Sequence, residues 1–212
     1  MKPFERLDRK LVAHGHILDY YEDTIAVPNG NIAHWDFIKH KGAAAVVPVL
    51  PDGRLLMVLQ YRNALDRDTI EIPAGGLNEN EDPYVCAMRE LKEETGYSVD
   101  KMDYLISVCT TVAFCNEKIP IYVAFIEGKA GEQDLDEDEY VNTKAFTVDE
   151  LCEKIYAGTI NDSKTIAAVL AYKNKYLNND RKSQSKSVNK SSHQVVIIAW
   201  IFSNLCKIYF RM

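Results

Sequence analysis

One segment near the middle of the chain constrains both its fold and its chemistry: residues 75–97 read GGLNENEDPYVCAMRELKEETGY. Asp82 is a favourable N-cap, Pro83 suits the first helical position because its missing N–H is not needed there, and Gly96 suits a left-handed residue just past the last turn. The sequence therefore predicts a helix from about Pro83 to Thr95.

The predicted helix has an apolar face and an acidic face. The residues that recur at helical spacing and can face a core are Val85, Met88, Leu91 and Thr95. Glu90 and Glu94, four residues apart, share another face with Glu93 beside them. Such crowding indicates either a solvated charged surface or a site that binds a cation. Hard oxygen ligands at this spacing suit Mg²⁺ or Mn²⁺, whose octahedral shells also take water or phosphate oxygens.

Arg89 affects the choice between these two interpretations. It lies four residues before Glu93 and can hold that carboxylate in an ion pair, which leaves Glu90 and Glu94 free. Helix physics alone leaves both interpretations open.

The spacing of the whole segment resembles the complete signature of the Nudix hydrolases. Its defining positions are filled by Gly75, Glu81, Arg89-Glu90-Leu91, Glu93-Glu94 and Gly96-Tyr97. The resemblance implies an α+β fold, built as an α/β/α sandwich around a mixed sheet, and attack of a metal-activated water on a nucleoside diphosphate linked to another group. It implies Glu90 and Glu94 as metal ligands, with Arg89 as a catalytic partner of Glu93.

Two segments before the helix resemble the ADP-ribose pyrophosphatase branch of that family. Residues 71–75, EIPAG, resemble its E-[IL]-P-A-G segment, which implies that the backbone carbonyl of Ala74 binds metal and that Glu71 contributes to substrate binding. Gln60-Tyr61-Arg62 resembles the segment whose arginine contacts the diphosphate, a role that suits a planar bidentate donor. The alternative for Pro73-Ala74-Gly75 is a plain turn at the end of a strand, and the alternative for Arg62 is an ordinary charged residue at a strand end.

The N-terminal part carries a candidate platform for the nucleobase. In similar dimeric ADP-ribose hydrolases, an aromatic residue after the N-terminal turn stacks on adenine, often from the neighbouring subunit, with an acid next to it. Trp35-Asp36, after the turn-former Pro28-Asn29-Gly30, fits that arrangement and implies a homodimer. A half-buried core or dimer contact is the alternative for Trp35.

Two glutamates compete for the role of general base. Glu117 falls in a loop between two predicted strands, where related ADP-ribose hydrolases carry a mobile catalytic glutamate, and Glu93 competes from the helix. Either could hold a water whose pKa the metal lowers. Val112 stands where ADP-ribose hydrolases usually have proline. This departure counts against ADP-ribose but not against the chemistry, so ADP-ribose stays the first choice of substrate and another nucleoside diphosphate sugar is the second.

The chain divides into four predicted regions. They are an antiparallel β-hairpin subdomain for dimerisation and substrate contacts (residues 1–41), the hydrolase domain (42–178), a disordered polar linker (179–194) and a short apolar tail (195–212). Within the hydrolase domain, a hairpin around Pro51-Asp52-Gly53 and helices at Thr147–Tyr156 and Ser163–Tyr176 are expected. The tail's apolar run has twelve residues, whereas a spanning helix needs about 20, which disfavours a membrane anchor.

Charge and cysteine usage favour a cytoplasmic enzyme. Residues 179–212 hold six of the 25 Lys and Arg but one of the 31 acids, which leaves a net charge of −11 on the preceding residues. A domain this acidic suits a diphosphate only if a divalent metal intervenes, and the lack of a basic stripe disfavours nucleic acid. The five cysteines form no C-x-x-C pair and are expected to be reduced thiols. A nucleotide-binding regulatory module is the non-enzymatic alternative.

Overall fold

The computed structural model describes residues 3–137 and 139–178. Its strands are β1 (Glu5–His14), β2 (Leu18–Ala26), β3 (Ile32–His40), β4 (Ala43–Val49), β5 (Leu55–Arg62), β6 (Arg67–Glu71), β7 (Ala74–Gly76), β8 (Asp103–Cys109), β9 (Lys118–Phe125) and β10 (Val141–Phe146). Its helices are α1 (Pro83–Thr95), α2 (Val148–Tyr156) and α3 (Ser163–Tyr172), with a π-helical segment at Lys173–Leu177. The chain separates into two units, residues 1–171 and 172–212. The predicted linker and apolar tail lie outside the described residues.

Seven strands form a mixed sheet. The strand order is β10-β5-β4-β9-β8, with β6 paired to β5 and β7 paired to β4. β4 and β9 run parallel, whereas the other neighbours are antiparallel. Every residue of β4 is buried, as expected for an apolar strand covered on both faces. The predicted α+β class with a mixed sheet is confirmed.

The signature helix α1 begins and ends where its capping residues predict. Asp82 accepts a hydrogen bond from the Tyr84 N–H, Pro83 occupies the first turn, and Gly96 takes a φ of 73° after the last turn. These signals are local, so the sequence alone specifies the limits of the helix.

The buried face of α1 differs from the predicted one. Val85 is 55% exposed, so its predicted place in the core was wrong. The buried positions form two stripes at four-residue spacing, Cys86-Glu90-Glu94 and Ala87-Leu91-Thr95. Cys86, Ala87 and Leu91 join a core cluster with side chains of β4 and β9, which turns the face carrying Glu90 and Glu94 toward the protein.

Residues 5–40 form a separate antiparallel sheet with the order β1-β2-β3. Asn29 and Gly30 turn the chain between β2 and β3 as expected, with Gly30 at a φ of 91°. The part of the predicted hairpin that precedes this turn, however, forms two strands, because the chain reverses at Gly15, whose N–H donates to the Leu18 carbonyl. The predicted hairpin is therefore part of a three-stranded sheet.

The end of β3 is hydrogen-bonded to the loop between β8 and β9. The Ile38 N–H donates to the Phe114 carbonyl at 2.6 Å, and the Asn116 N–H donates to the Ile38 carbonyl at 3.3 Å. The His40 N–H donates to Oδ1 of Asn116 at 2.8 Å. The N-terminal sheet therefore fixes the loop that carries Glu117.

The predicted hairpin around Pro51-Asp52-Gly53 joins β4 to β5, and Gly53 takes a φ of 83° in its turn. Helix α2 begins with a capping box in which Thr147 and Glu150 satisfy each other's backbone N–H.

In the part of the chain that the structure describes, no helix is both long and apolar enough to cross a membrane.

Candidate active site

A cleft of about 500 Å³ brings together residues from β5, β7, the β8–β9 loop and the start of α3. The lining residues that matter for its chemistry are Arg62, Ala74, Gly75, Glu117, Asp162 and Lys164. A second depression of similar volume, lined by residues in 98–103 and 123–127, contains none of the predicted site residues. The first cleft is therefore the candidate active site.

Glu90 and Glu94 lie against β7, whose residues Ala74 and Gly75 line this cleft. They are 7% and 1% exposed, which excludes a solvated acidic surface. Oε2 of Glu94 accepts a hydrogen bond from the Ala74 N–H at 3.0 Å. A Cβ added to Gly75 would lie 1.9 Å from Oε1 of Glu90, so only glycine leaves room for that carboxylate. The structure thus brings together all three predicted metal-site residues: Ala74, Glu90 and Glu94.

Burial changes the ionisation of both acids. Desolvation, with the negative charge of Glu90 adding to it, raises the pKa of Glu94 to about 8. Desolvation also raises the pKa of Glu90 to about 7, although the charge of Arg89 opposes it. A bound cation would favour the ionised form of both carboxylates, so their burial fits a metal site better than a purely structural pair.

The donors at this site are of the type that Mg²⁺ and Mn²⁺ prefer. Glu90 and Glu94 supply carboxylate oxygens, and the Ala74 carbonyl is the proposed backbone donor. Within residues 3–137 and 139–178, no three side chains of His, Cys, Asp or Glu are arranged to hold one ion. The residues present therefore fit a cation that keeps waters or substrate oxygens rather than one enclosed by protein side chains.

Arg89 organises the acids around the start of α1. Its Nη1 donates to Glu93 at 2.7 Å, which is the predicted pair, and its Nε donates to Glu81 at 3.0 Å. The same Nη1 donates to Glu90 at 2.6 Å, so the expectation that Arg89 leaves Glu90 free was wrong. The reason is that Glu81 and the Gly76 carbonyl hold the guanidinium over the loop before the helix, where Nη1 reaches both acids.

Glu117 lies on the cleft wall, where its carboxylate has two neighbours. Its Oε2 accepts a hydrogen bond from the Thr110 hydroxyl at 2.6 Å. Its Oε1 is 3.4 Å from Nδ1 of His40, but that nitrogen accepts a hydrogen bond from the Gly42 N–H at 3.0 Å and so does not donate to Glu117. The hydrogen bond from Thr110, just past the end of β8, therefore positions the carboxylate.

One acid near the site was missed by the sequence analysis. Burial is the main cause of the high pKa values of Glu90 and Glu94, but the charge of Glu139 adds to both. Glu139 belongs to residues 131–140, GEQDLDEDEY, which precede β10. The density of acids in this loop was the available signal, but no local pattern indicates that one of them approaches α1.

Arg62 and Glu71 form a bidentate ion pair at the base of the cleft. Nε and Nη2 of Arg62 lie 2.8 and 2.7 Å from the two oxygens of Glu71. Glu71 is 3% exposed and also accepts hydrogen bonds from Thr69 and Lys164. Burial acts to raise the pKa of Glu71, but the ion pairs with Arg62 and Lys164 outweigh it and lower the pKa to about 2. Both carboxylate oxygens are thus bound by the protein.

Trp35 and Asp36 lie on β3 and do not line the cleft. The Trp35 side chain is 48% exposed, and its ring centroid is 5.8 Å from that of Phe4. Asp36 accepts a hydrogen bond from the Tyr20 hydroxyl at 2.6 Å, on the opposite face of the strand. Within one copy of the chain, the structure does not bring these two predicted substrate contacts to the other site residues.

The structure packs a helix with two buried acids against a glycine-containing strand that lines a cleft. This is the arrangement that the Nudix signature implies. The model of the NUDIX domain matches residues 39–169. The chain belongs to the Nudix hydrolase family.

Individual relatives refine this assignment. The methanol dehydrogenase activator of Bacillus methanolicus is 41% identical over 156 residues, which cover 73% of this chain and 84% of that protein. The ADP-ribose pyrophosphatase of Bacillus subtilis (strain 168) is 33% identical over 175 residues, covering 80% and 93%. A crystal structure of an ADP compounds hydrolase superposes with a TM-score of 0.74 over 85% of this chain and 98% of that chain, and at 18% identity it shows the shared fold. The predicted family and enzyme class are confirmed: the protein is a hydrolase similar to ADP-ribose pyrophosphatases.

Replacing Gly75 by alanine should impair the site without unfolding the protein. The new Cβ would displace the flexible end of Glu90 rather than backbone. We expect Gly75→Ala to weaken Mg²⁺ binding, measured by calorimetry, at least tenfold. Gly76→Ala is the matched control, because a Cβ there meets nothing within 4 Å. Equal Mg²⁺ affinities for the two variants would contradict the placement of Glu90 in the metal site.

The pKa of Glu94 predicts how the metal-free protein responds to pH. A folded-state pKa of about 8 lies above the unfolded value of 4.5, so the free energy of unfolding falls as pH rises between these values. Glu94→Gln should remove most of this loss, a few kcal/mol at about 1.4 kcal/mol per pKa unit. Thermal unfolding in EDTA at pH 5 and pH 8 measures it, with exposed Glu153→Gln as the control. A variant with the parent's pH dependence would contradict the prediction.

Proposed function

We propose that the protein hydrolyses the diphosphate bond of ADP-ribose, giving AMP and ribose 5-phosphate, with Mg²⁺ as its cofactor. The observation that carries this proposal is the pair of buried acids, Glu90 and Glu94, packed against β7, whose Ala74 lines the same cleft as Arg62. The relative named ADP-ribose pyrophosphatase, matched over 93% of its length, supports the choice of substrate.

The residues of the cleft divide the work of hydrolysis. A divalent cation held by Glu90, Glu94 and the Ala74 carbonyl would supply a water of lowered pKa and offset the charge of the diphosphate. Arg89 fixes the carboxylate of Glu90 by an ion pair. Nε and Nη2 of Arg62 donate to Glu71, so Nη1 is left to donate to a phosphoryl oxygen from the cleft wall.

A panel of nucleotides tests the substrate directly. The protein is incubated with Mg²⁺ and ADP-ribose, NADH, sugar nucleotides or dinucleoside polyphosphates, and the products are separated by chromatography. We expect AMP and ribose 5-phosphate from ADP-ribose, and none from Glu94→Gln. Turnover confined to another nucleoside diphosphate sugar would replace ADP-ribose with the second choice that Val112 suggested.

Three carboxylates compete to accept the proton of the attacking water. We propose Glu117, which lines the cleft, while Glu93 is paired with Arg89 and Glu139 approaches the two buried acids. Glu117→Gln should lower kcat by about 10²-fold or more and change KM little, as for a lost general base. Glu93→Gln and Glu139→Gln are measured beside it. If Glu117→Gln turns over at the parent's rate, the base is whichever of the other two variants loses kcat.

We also propose a homodimer in which the partner subunit supplies the adenine platform. Trp35 is exposed on a sheet whose outer strand also exposes the apolar side chains of Leu7 and Leu11, and it lies away from the cleft of its own chain. A second copy would both cover this surface and place an aromatic ring at a cleft.

We propose the cytoplasm as the location of the protein. Its free cysteines and its acidic charge are consistent with that location.

Removal of the Trp35 ring should weaken substrate binding. Lost base stacking costs about 1–3 kcal/mol, so Trp35→Ala should raise KM for ADP-ribose about 5- to 150-fold while kcat changes less. Tyr156→Ala removes another exposed aromatic ring, on α2, and serves as the control. A Trp35→Ala variant with the parent's KM would favour the packing interpretation of this residue.

A second candidate function is the activation of a dehydrogenase. It is favoured by the relative at 41% identity, which is named methanol dehydrogenase activator. Adding the protein to a purified methanol dehydrogenase tests it, with Glu94→Gln as the control. Activation that Glu94→Gln abolishes would assign the effect to hydrolysis, activation that the variant retains would indicate a binding module, and no activation would exclude this function for the dehydrogenase used.

A further inference from the structure

We infer, on the basis of the function proposed above, that Lys164 is a second cationic contact for the substrate diphosphate, held beside Arg62 by the buried carboxylate of Glu71. Lys164 is the second residue of α3 and matches none of the sequence signatures. It lines the same cleft as Arg62 and Ala74.

The environment of Lys164 is unusual for a lysine. Most lysines are exposed, because burying an ammonium costs free energy unless anionic groups compensate. The Lys164 residue is only 7% exposed, and its Nζ donates to Glu71 and to Oδ2 of Asp162, the latter at 2.9 Å. These two acids remove the freedom that a surface lysine would have. The ammonium therefore occupies a fixed position on the cleft wall.

Both cations retain hydrogen-bond donors after these contacts. An ammonium has three N–H groups, and Glu71 and Asp162 take two of those of Lys164. A guanidinium has five N–H groups, and Glu71 takes two of those of Arg62. Arg62 and Lys164 both line the cleft, so their remaining donors are available to a ligand there. The wall can thus offer several charge-assisted hydrogen bonds to a phosphoryl group.

Glu71 explains how two positive groups can lie next to each other before any substrate binds. Its two oxygens accept from Arg62 and Lys164, which offsets the repulsion between the cations. The low pKa of Glu71, about 2, means that this anchor stays ionised in the physiological range. The cationic wall and the acidic pair Glu90–Glu94 therefore offer one diphosphate two kinds of contact, one direct and one through a cation.

Fastening the start of α3 is the alternative role for Lys164, but contacts that do not involve its ammonium already do this. Asp162 accepts a hydrogen bond from the Thr165 N–H at 3.0 Å and so caps the start of the helix. The Thr165 hydroxyl accepts a hydrogen bond from the Ile72 N–H at 3.0 Å, with both groups buried. Thr165→Val therefore loosens the same helix start without removing a charge from the cleft.

Direct binding of inorganic pyrophosphate in the presence of Mg²⁺ tests the assignment, because calorimetry measures it without turnover. Lys164→Met keeps the apolar stem and removes the charge, and we expect it to weaken pyrophosphate binding about tenfold or more. KM for ADP-ribose should rise by a similar factor, with a smaller change in kcat. Lys164→Arg should recover part of the affinity. Lys164→Gln, which retains a donor for Glu71, replaces the methionine variant if that variant does not fold.

The control separates a binding role from a structural one. Thr165→Val should lower the unfolding temperature and keep the parent's affinity for pyrophosphate. Lys164 variants that bind as the parent does, a Thr165→Val variant weakened equally, or a parent that binds no pyrophosphate would each overturn the assignment. A parent that binds pyrophosphate through Lys164 but does not hydrolyse ADP-ribose would instead reject the proposed substrate and leave Lys164 as a diphosphate contact.

Discussion

The contact between α1 and β7 is the interaction on which the rest of the site depends. The Ala74 N–H donates to Glu94, and the absence of a side chain on Gly75 lets Glu90 approach the strand. Cys86, Ala87 and Leu91 on the same helix are packed into the core, so the two carboxylates cannot turn toward solvent without unpacking α1. Packing of α1 on the sheet therefore requires that two acids be buried. Burial of their charged forms costs free energy, and a bound cation would offset that cost.

The charged side chains at and near the cleft are held in place by ion pairs with one another. Arg89 links Glu81, Glu90 and Glu93, whereas Glu71 links Arg62 and Lys164, which line the cleft. One cluster is rich in acids and the other holds two cations on one buried anion. In the proposed function, a cation at the acidic cluster and the fixed donors of Arg62 and Lys164 would together let an acidic domain bind a diphosphate.

Sequence signals predicted those features that depend on neighbouring residues along the chain. The limits of α1 follow from Asp82, Pro83 and Gly96. The signature predicted Glu90 and Glu94 as metal ligands and the EIPAG segment predicted Ala74, and the structure brings these three residues together. Side-chain burial depends on tertiary packing, so the exposure of Val85 and the second ion pair of Arg89 could not be deduced from helix spacing. Glu139 and Lys164 reach the site from distant parts of the chain, and no pattern around either residue indicates it. Trp35 was singled out from the sequence, but within one chain it does not line the cleft, so its role in substrate binding stays a prediction.

The release of protons on metal binding tests the central claim most directly. Mg²⁺ is titrated into the metal-free protein near pH 7 in two buffers of different ionisation enthalpy, and the difference in heat gives the number of protons released. Because Glu90 and Glu94 have pKa values of about 7 and 8, and metal ligands must be deprotonated, binding should release a substantial fraction of a proton or more per ion. Magnesium binding that releases no protons would contradict the assignment of these buried acids as its ligands.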